Sequence, residues 1–304
     1  MTWNPITWLE WVVSWILVQF HSVFAVVFGA SSGISWALAI VGLVVVIRIL
    51  LIPLFVKQIK SQRNLQILQP KMKEIQKKHA GDREKQSQEM MKLYKETGTN
   101  PLASCLPILA QSPIFFALFR VLNGIAQGLQ EGVLTPQQVQ QAHDATLFNV
   151  PIYATFKDAD QTPFPTTTRI LTIVMIVLMT ATTFITQRQL LVKNTAKGNP
   201  MAQQQKILLY VFPFFFAVTG INFPIGVLLY WLTTNLWSMG QQFYVIRNNP
   251  QPGTPAYDHW EQRRDRKQRR KDGLPPEPEE PAPVAVPAAV RAQPKKQSKS
   301  QRKK

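Results

Sequence analysis

An all-α integral membrane protein with five spanning helices is the fold class this sequence predicts, and three observations predict it. Hydrophobic residues make up 46% of the 304 positions, and they collect in five runs at about 34–56, 103–122, 169–190, 206–222 and 224–246. Most of these approach or exceed the roughly 20 apolar residues that cross a hydrocarbon core about 30 Å thick. The net charge of +17 lies almost entirely between and after those runs. Arg48 is set apart by its place at the centre of the apolar stretch VGLVVVIRILLIPLF, residues 41–55, where every other residue is apolar.

Charge distribution orients the spans, because Lys and Arg are retained on the cytoplasmic side. No Lys or Arg precedes Arg48, so the N-terminus is expected outside. Residues 57–100 carry Lys57, Lys60, Arg63, Lys71, Lys73, Lys77, Lys78, Arg83, Lys85, Lys92 and Lys95 and belong in the cytoplasm. The loop 124–168 offers Lys157 against Glu131, Asp144, Asp158 and Asp160 up to Pro165 and belongs outside. Lys193, Lys197 and Lys206 return 191–206 to the cytoplasm, Asn222-Phe223-Pro224 makes a tight uncharged turn outside, and the basic tail after Arg247 lies inside. The expected organisation is an extracytoplasmic helix and loop over 1–33, a five-span core over 34–246 and a cytoplasmic tail over 247–304.

Residues 6–28 form another apolar stretch. At 100° per residue Thr7, Glu10, Ser14 and His21 share one narrow stripe, with Trp8, Trp11 and Trp15 lining much of the other side. Tryptophan prefers the interface, so this stretch is expected to lie on the outer leaflet as an amphipathic helix, although it lacks a basic face. No basic leading region or cleavage site marks a removable signal peptide. The stretch Leu102-Ala103-Ser104-Cys105 resembles a lipoprotein cleavage site, but it follows polar rather than apolar residues. The single cysteine excludes an internal disulfide framework.

Between Lys57 and Asn100, Leu65, Leu68, Met72, Ile75 and His79 recur at alternating spacings of three and four, a coiled-coil-like seam. Gly81-Asp82 breaks it. Met90, Met91 and Tyr94 mark a second helix that Gly98 ends, so an antiparallel helical hairpin with a basic outer surface is expected. The tail joins two basic clusters through a proline-rich spacer and is expected to be disordered. Its charge suits polyanions, and ribosomal RNA and anionic lipid both qualify.

Arg48 lies eight residues before Lys57, roughly 12 Å along a continuous helix. Facing lipid it would cost about 2.5–3.5 kcal/mol on insertion scales, and no Asp or Glu lies in any of the five runs to pair with it. A water-filled cavity between helices is the expected solution. Suitable linings are Ser104, Gln111 and Ser112 in the second span, Thr172, Thr180, Thr182, Thr183 and Thr186 in the third, and Trp231, Thr234 or Asn235, Ser238 and Gln242 in the fifth. Threonine can bond back to its own helix; Gln111 and Asn235 do so less easily. A wet cavity holding a cation suggests a transient host for something anionic. No phosphate loop, His-Glu metal motif or acid pair appears in the spans, and the histidines 21, 79, 143 and 259 are scattered. Neither an enzyme nor a metal or other cofactor is expected.

The runs IRILLIPLFVKQIKSQRNLQILQPKMKEIQ, EMMKLYKETGTNPLASCLPILAQSPIFFALF and NFPIGVLLYWLTTNLWSMGQQ resemble the YidC membrane protein insertases, in the same order and over roughly 34–247. The resemblance implies a core of five helices around a hydrophilic groove open to cytoplasm and lipid but closed outside, in a bacterial plasma membrane. It matches Arg48 to the groove's positive charge, Gln111 and Trp231 to polar or aromatic groove positions, and Tyr230 less closely. It matches 57–100 to the cytoplasmic hairpin and 6–28 to an outer-face amphipathic helix. It also implies partners: nascent membrane proteins, the ribosome through the hairpin and tail, the Sec translocon, targeting factors and anionic lipids. The large extracytoplasmic domain of some members and the N-terminal lipid anchor of others have no counterpart in the sequence. The competing reading is an anion-binding solute transporter or channel with Arg48 as its site. No internal repeat of the kind carriers show supports it. An assembly chaperone working beside the translocon is a third reading.

Overall fold

The computed structural model describes residues 5–98, 106–193, 211, 214–215, 218–250 and 252–275. Helix α1, Pro5–Phe28, turns through residues 29–32 into α2, Gly33–Leu50. Ser32 caps α2, its hydroxyl accepting from the Ile34 N–H at 3.3 Å. Two carbonyls of the turn accept side-chain donors. Ser35 Oγ donates to Gly29 O at 2.7 Å, and Ala30 O accepts from both His21 Nε2 (2.8 Å) and Trp36 Nε1 (3.1 Å). The His21 and Trp36 rings stack at 3.9 Å.

The polar stripe of α1 therefore has a different use from the one its pattern suggested. Glu10, Ser14 and His21 are buried against the protein, Thr7 is exposed, and Trp8, Trp11 and Trp15 look outward. Glu10 pairs with Arg120 at 3.0 Å, and the Ser14 hydroxyl accepts from Val133 N at 3.0 Å. Gly132 takes φ +65° beside Ser14 and the Glu10 carbonyl, where a Cβ would collide with both.

The span expected over 34–56 is not continuous. Helix α2 ends at Leu50, and a new helix, α3, runs Ile52–Ile67 with Pro53 in its first turn, where a missing N–H costs nothing. Helices α4, Gln69–Lys78, and α5, Arg83–Glu96, form the expected hairpin, with Leu68, Met72 and Leu93 buried between them and Ile75, Met90 and Tyr94 packed around. Asp82 caps α5, accepting from Lys85 N, and Gly98 takes φ +60° just beyond its end. Leu65's side chain and residues 99–105, Cys105 included, lie outside the described residues.

Helix α6, Leu106–Ala126, contains Pro113. The loop after it holds α7, Pro136–Asp144, opened by a reciprocal Thr135/Gln138 capping box. A two-residue-per-strand hairpin follows, β1 Thr146–Leu147 against β2 Val150–Pro151. Phe148 and Asn149 both take positive φ in its turn, the twist a tight hairpin needs. Helix α8, Pro165–Lys193, is the longest, and α9 runs Ile225–Asn248. Most of the run 206–222 lies outside the described residues. Among the described residues, four helices are long and apolar enough to cross a membrane: α1, α2, α6 and α8.

Packing proceeds in two steps. Helices α1, α2 and α6 meet around Leu17, Ile40, Leu43, Leu118 and Val121; α9 packs on α2, and α8 packs on α9. The α6–α8 loop covers the end of this bundle. Its Ile152 and Ala154 carbonyls accept the Gly226 and Ile225 N–H groups at 2.9 and 3.0 Å, satisfying donors that a helix start leaves free. Thr146 O lies so close to Gly33 that any Cβ there would overlap it.

The tail read as disordered over 247–304 is corrected at its start: α9 extends to Asn248, and Pro255–Lys271 form a further helix, α10. Contacts divide the chain into units 1–260 and 261–304, the boundary falling within α10. The Pro255 position suits a first helical turn, and spacing alone gave α10 away poorly because it has almost no apolar periodicity. Gly33→Val should lower thermal stability by about 1–3 kcal/mol, read as a downward shift of the melting transition in detergent, whereas Gly253→Ala, which meets no neighbour but sits at φ +73°, should cost less.

Candidate functional site

The break after Leu50 decides how Arg48 is housed. Its residue lies in the last turn of α2, where unpaired carbonyls and the negative end of the helix dipole favour a cation by about 0.3–1 kcal/mol, and up to about 2 when partly buried. The side chain is 7% exposed. Its Nη2 donates to the Thr234 carbonyl of α9 at 3.4 Å, and its guanidinium stands 5.5 Å from the centre of the Phe55 ring of α3. Such a contact contributes about 0.5–1 kcal/mol, or about 2 when desolvated. Together these terms are the same size as the roughly 2.5–3.5 kcal/mol insertion cost. The charge is thus accommodated without a carboxylate, and among the described residues none pairs with it. The tie is weak: Nε has no partner.

Around it, α9 supplies Tyr230 and Thr234, one turn apart and both buried. Gln111 of α6 donates from Nε2 to the Tyr230 hydroxyl, while its own Oε1 is buried without a partner. Ser238 Oγ donates to the same Thr234 carbonyl that takes Arg48, at 2.8 Å. That carbonyl joins the arginine to α9.

Of the residues singled out from sequence, the bundle thus places Arg48, Gln111 and Tyr230 around one face of α9. Trp231, the next residue round, is half-buried in an aromatic group with Phe115 at 5.0 Å and Phe223 at 6.0 Å. Asn235 turns toward α8, donating to Thr183 Oγ1 at 2.9 Å and Met179 O at 3.3 Å. Thr172, Thr182, Thr183 and Thr186 bond back to carbonyls of their own helix, and Thr180 Oγ1 is buried without a partner. Ser104 lies outside the described residues. Phe55 escaped the sequence reading, although its place seven residues after Arg48, on the same helical face, was an available signal; Pro53 was the available signal for the break.

Residues 27–252 match the model of the 60Kd inner membrane protein family. The chain belongs to that family. A relative from Streptomyces avermitilis, named membrane protein insertase YidC, is 60% identical over 251 residues, covering 80% of this chain and 59% of its own. A second relative of that name, from Tropheryma whipplei strain Twist, is 37% identical over 266 residues, covering 82% and 86%. This family member therefore spans about three fifths of the Streptomyces relative's length. It also resembles a crystal structure of an active YidC insertase with its first transmembrane domain resolved, at a TM-score of 0.51 and 23% identity over 78% of this chain and 47% of that one. That likeness supports the all-α membrane fold.

The Asn235–Thr183 bond should be a measurable link between α8 and α9. A double-mutant cycle with Asn235→Leu and Thr183→Val, read by unfolding in lipid or detergent, should give a coupling of about 0.6 kcal/mol and at most about 1.7.

Proposed function

We propose that this chain is a membrane protein insertase of a bacterial plasma membrane, with its N-terminus outside and its C-terminus in the cytoplasm. The observation that carries the reading is the buried, carboxylate-free Arg48 in the α2–α6–α9 bundle, and the names of the relatives favour insertion over an anion carrier. An apolar segment of about 20 residues gains free energy on entering lipid, about 0.3–0.6 kcal/mol for each of its best residues. The obstacle is its polar tail, which must cross the hydrocarbon. A hydrophilic groove reaching to Arg48, with Gln111 and Tyr230 on its wall, shortens the dry path from about 30 Å to about 15 Å. There an acidic tail meets a cation at reduced dielectric, where a charge pair is stronger than in water. The segment then slides along α8 and α9 into lipid, drawing its tail outward. Partitioning drives the step, so no nucleotide is consumed. Substrates are small, with one or two spans and short, weakly charged tails. Trp231 contributes to the apolar wall, and Asn235 holds α8 against α9.

The cytoplasmic partners follow from charge. The hairpin α4–α5 exposes a lysine-rich surface. Helix α10 places Arg263, Arg266, Lys267 and Arg270 on one face, while Asp258, Glu261 and Asp265 lie on the opposite one beside Arg269. The wholly basic face suits ribosomal RNA; anionic lipid is the other polyanion that its charge suits. Action beside the Sec translocon, with targeting factors, uses the same groove.

Reconstituted insertion of a single-span substrate with an acidic N-terminal tail tests the core reading. Arg48→Lys should keep most activity. Arg48→Ala should lose at least about tenfold, most for acidic tails; equal insertion by the alanine variant of every substrate would refute an electrostatic role. Neutralising the four basic-face residues of α10 to glutamine should flatten the logarithmic salt dependence of ribosome binding by roughly 3, measured by co-sedimentation, with the core insertion activity unchanged.

A further inference from the structure

Arg48 and Phe55 meet across the joint between α2 and α3. Leu51, the single residue of that joint, keeps helical dihedrals (φ −85°, ψ −4°). Main-chain bonds from Leu51 N to Ile47 O and from Phe55 N to Leu51 O, each 3.0 Å, carry the helical path through it. Seven residues on such a path turn through about 700°, which returns Phe55 to within about 20° of the Arg48 face. Helical side chains lean toward the N-terminus, so the half-buried ring leans back toward the arginine, its centre 5.5 Å from Cζ.

The arginine's hydrogen-bonded tie is slack by comparison. Nη2 reaches the Thr234 carbonyl at 3.4 Å, Ser238 Oγ takes the same oxygen at 2.8 Å, and Nε is buried without a partner. A long cationic side chain held this loosely tends to snorkel toward water, yet Arg48 is only 7% exposed. On the orientation proposed above, α3 leads from Arg48 to the cytoplasm, so Phe55 stands on the side toward which the guanidinium would escape. A phenyl face attracts the cation without supplying an acceptor atom. It can hold the head group and still leave N–H donors for a carboxylate, which a guanidinium fork binds in bidentate fashion. A carboxylate at position 55 would occupy that fork.

We propose that Phe55 is a positioning residue: the electron density of its ring, rather than its bulk, keeps the Arg48 guanidinium deep in the bundle, and that depth makes insertion selective for acidic tails. The selectivity rests on the insertase reading; the hold on Arg48 does not.

The full chain, in lipid nanodiscs, is prepared with phenylalanine, its mono-, di- or trifluorinated derivative, or leucine at position 55. Fluorine drains charge from the ring face at nearly constant shape. The first measurement is hydrogen exchange of the Arg48 Nε–H, assigned as the NMR signal missing from Arg48→Lys, and it needs no substrate. Exchange should quicken stepwise along the fluorinated series, reaching about threefold to tenfold for Phe55→Leu. The second is insertion of single-span substrates with acidic or neutral N-terminal tails, with and without Arg48→Ala. Acidic-tail insertion should fall by a similar factor along the series, neutral-tail insertion should stay level, and Arg48→Ala should abolish the trend. Exchange indifferent to fluorination overturns the proposal. So does acidic-tail insertion that stays level along the series, or a loss that is shared by both tails or persists without Arg48, as for a phenyl that only fills space. Exchange that quickens in a chain inserting no substrate at all instead overturns the insertase reading, and with it the selectivity, while the ring's hold on Arg48 stands.

Discussion

Burying one guanidinium without a carboxylate is the constraint on which the centre of this molecule depends. A cation in a bundle of apolar helices needs electron-rich neighbours, and here they are a helix C-terminus, a main-chain oxygen of α9 and the face of a phenyl ring. Each is weaker than an ion pair. That weakness has a physical consequence: a fully satisfied salt bridge would hold its partner too firmly to exchange it, whereas a cation resting on dipoles retains attraction for any anion brought near. The end of α2 at Leu50 is part of this arrangement, since it sets the negative end of the helix dipole beside the arginine.

The opposite end of the bundle is built on the reverse principle. Main-chain donors at the start of α9 are met by loop carbonyls, Thr146 closes on Gly33, and the buried polar groups of α1 find partners in Arg120 and Val133. These groups are tied to protein rather than to water. One end is thus sealed by satisfied hydrogen bonds, while the region around Arg48 keeps unpartnered atoms at Arg48 Nε and Gln111 Oε1. A polar group without a partner in a low-dielectric setting is costly, and that cost is relieved when a polar ligand or water arrives.

Membership of the 60Kd inner membrane protein family rests on residues 27–252, and the 37% identical relative from Tropheryma whipplei is covered over most of its length. The family likeness accounts for the helical framework. It leaves the weak tethering of Arg48 and the basic face of α10 to be explained from this chain's own residues.

Much of this was legible from sequence because membrane proteins separate their chemistry by length and charge. Runs of about 20 apolar residues, the hairpin seam at Leu68 and Met72, the break at Gly81-Asp82 and the isolation of Arg48 follow from one-dimensional spacing. So did Gln111, as a polar group that hydrocarbon does not tolerate unpaired, whereas Tyr230 came only from the family resemblance. Other features needed three dimensions. The inward use of Glu10, Ser14 and His21 required partners more than 100 residues away at Arg120 and Val133, or across a turn at Ala30. Asn235 had two helices within reach, and only packing assigned it to Thr183. Helix α10 escaped because helix formation in a charged stretch leaves no hydrophobic period to read. The sequence by itself determined which segments are apolar and where the unpaired cation lies, since partitioning depends on composition. Which dipoles receive that cation was decided only by tertiary structure, because a hydrogen bond depends on where two helices meet.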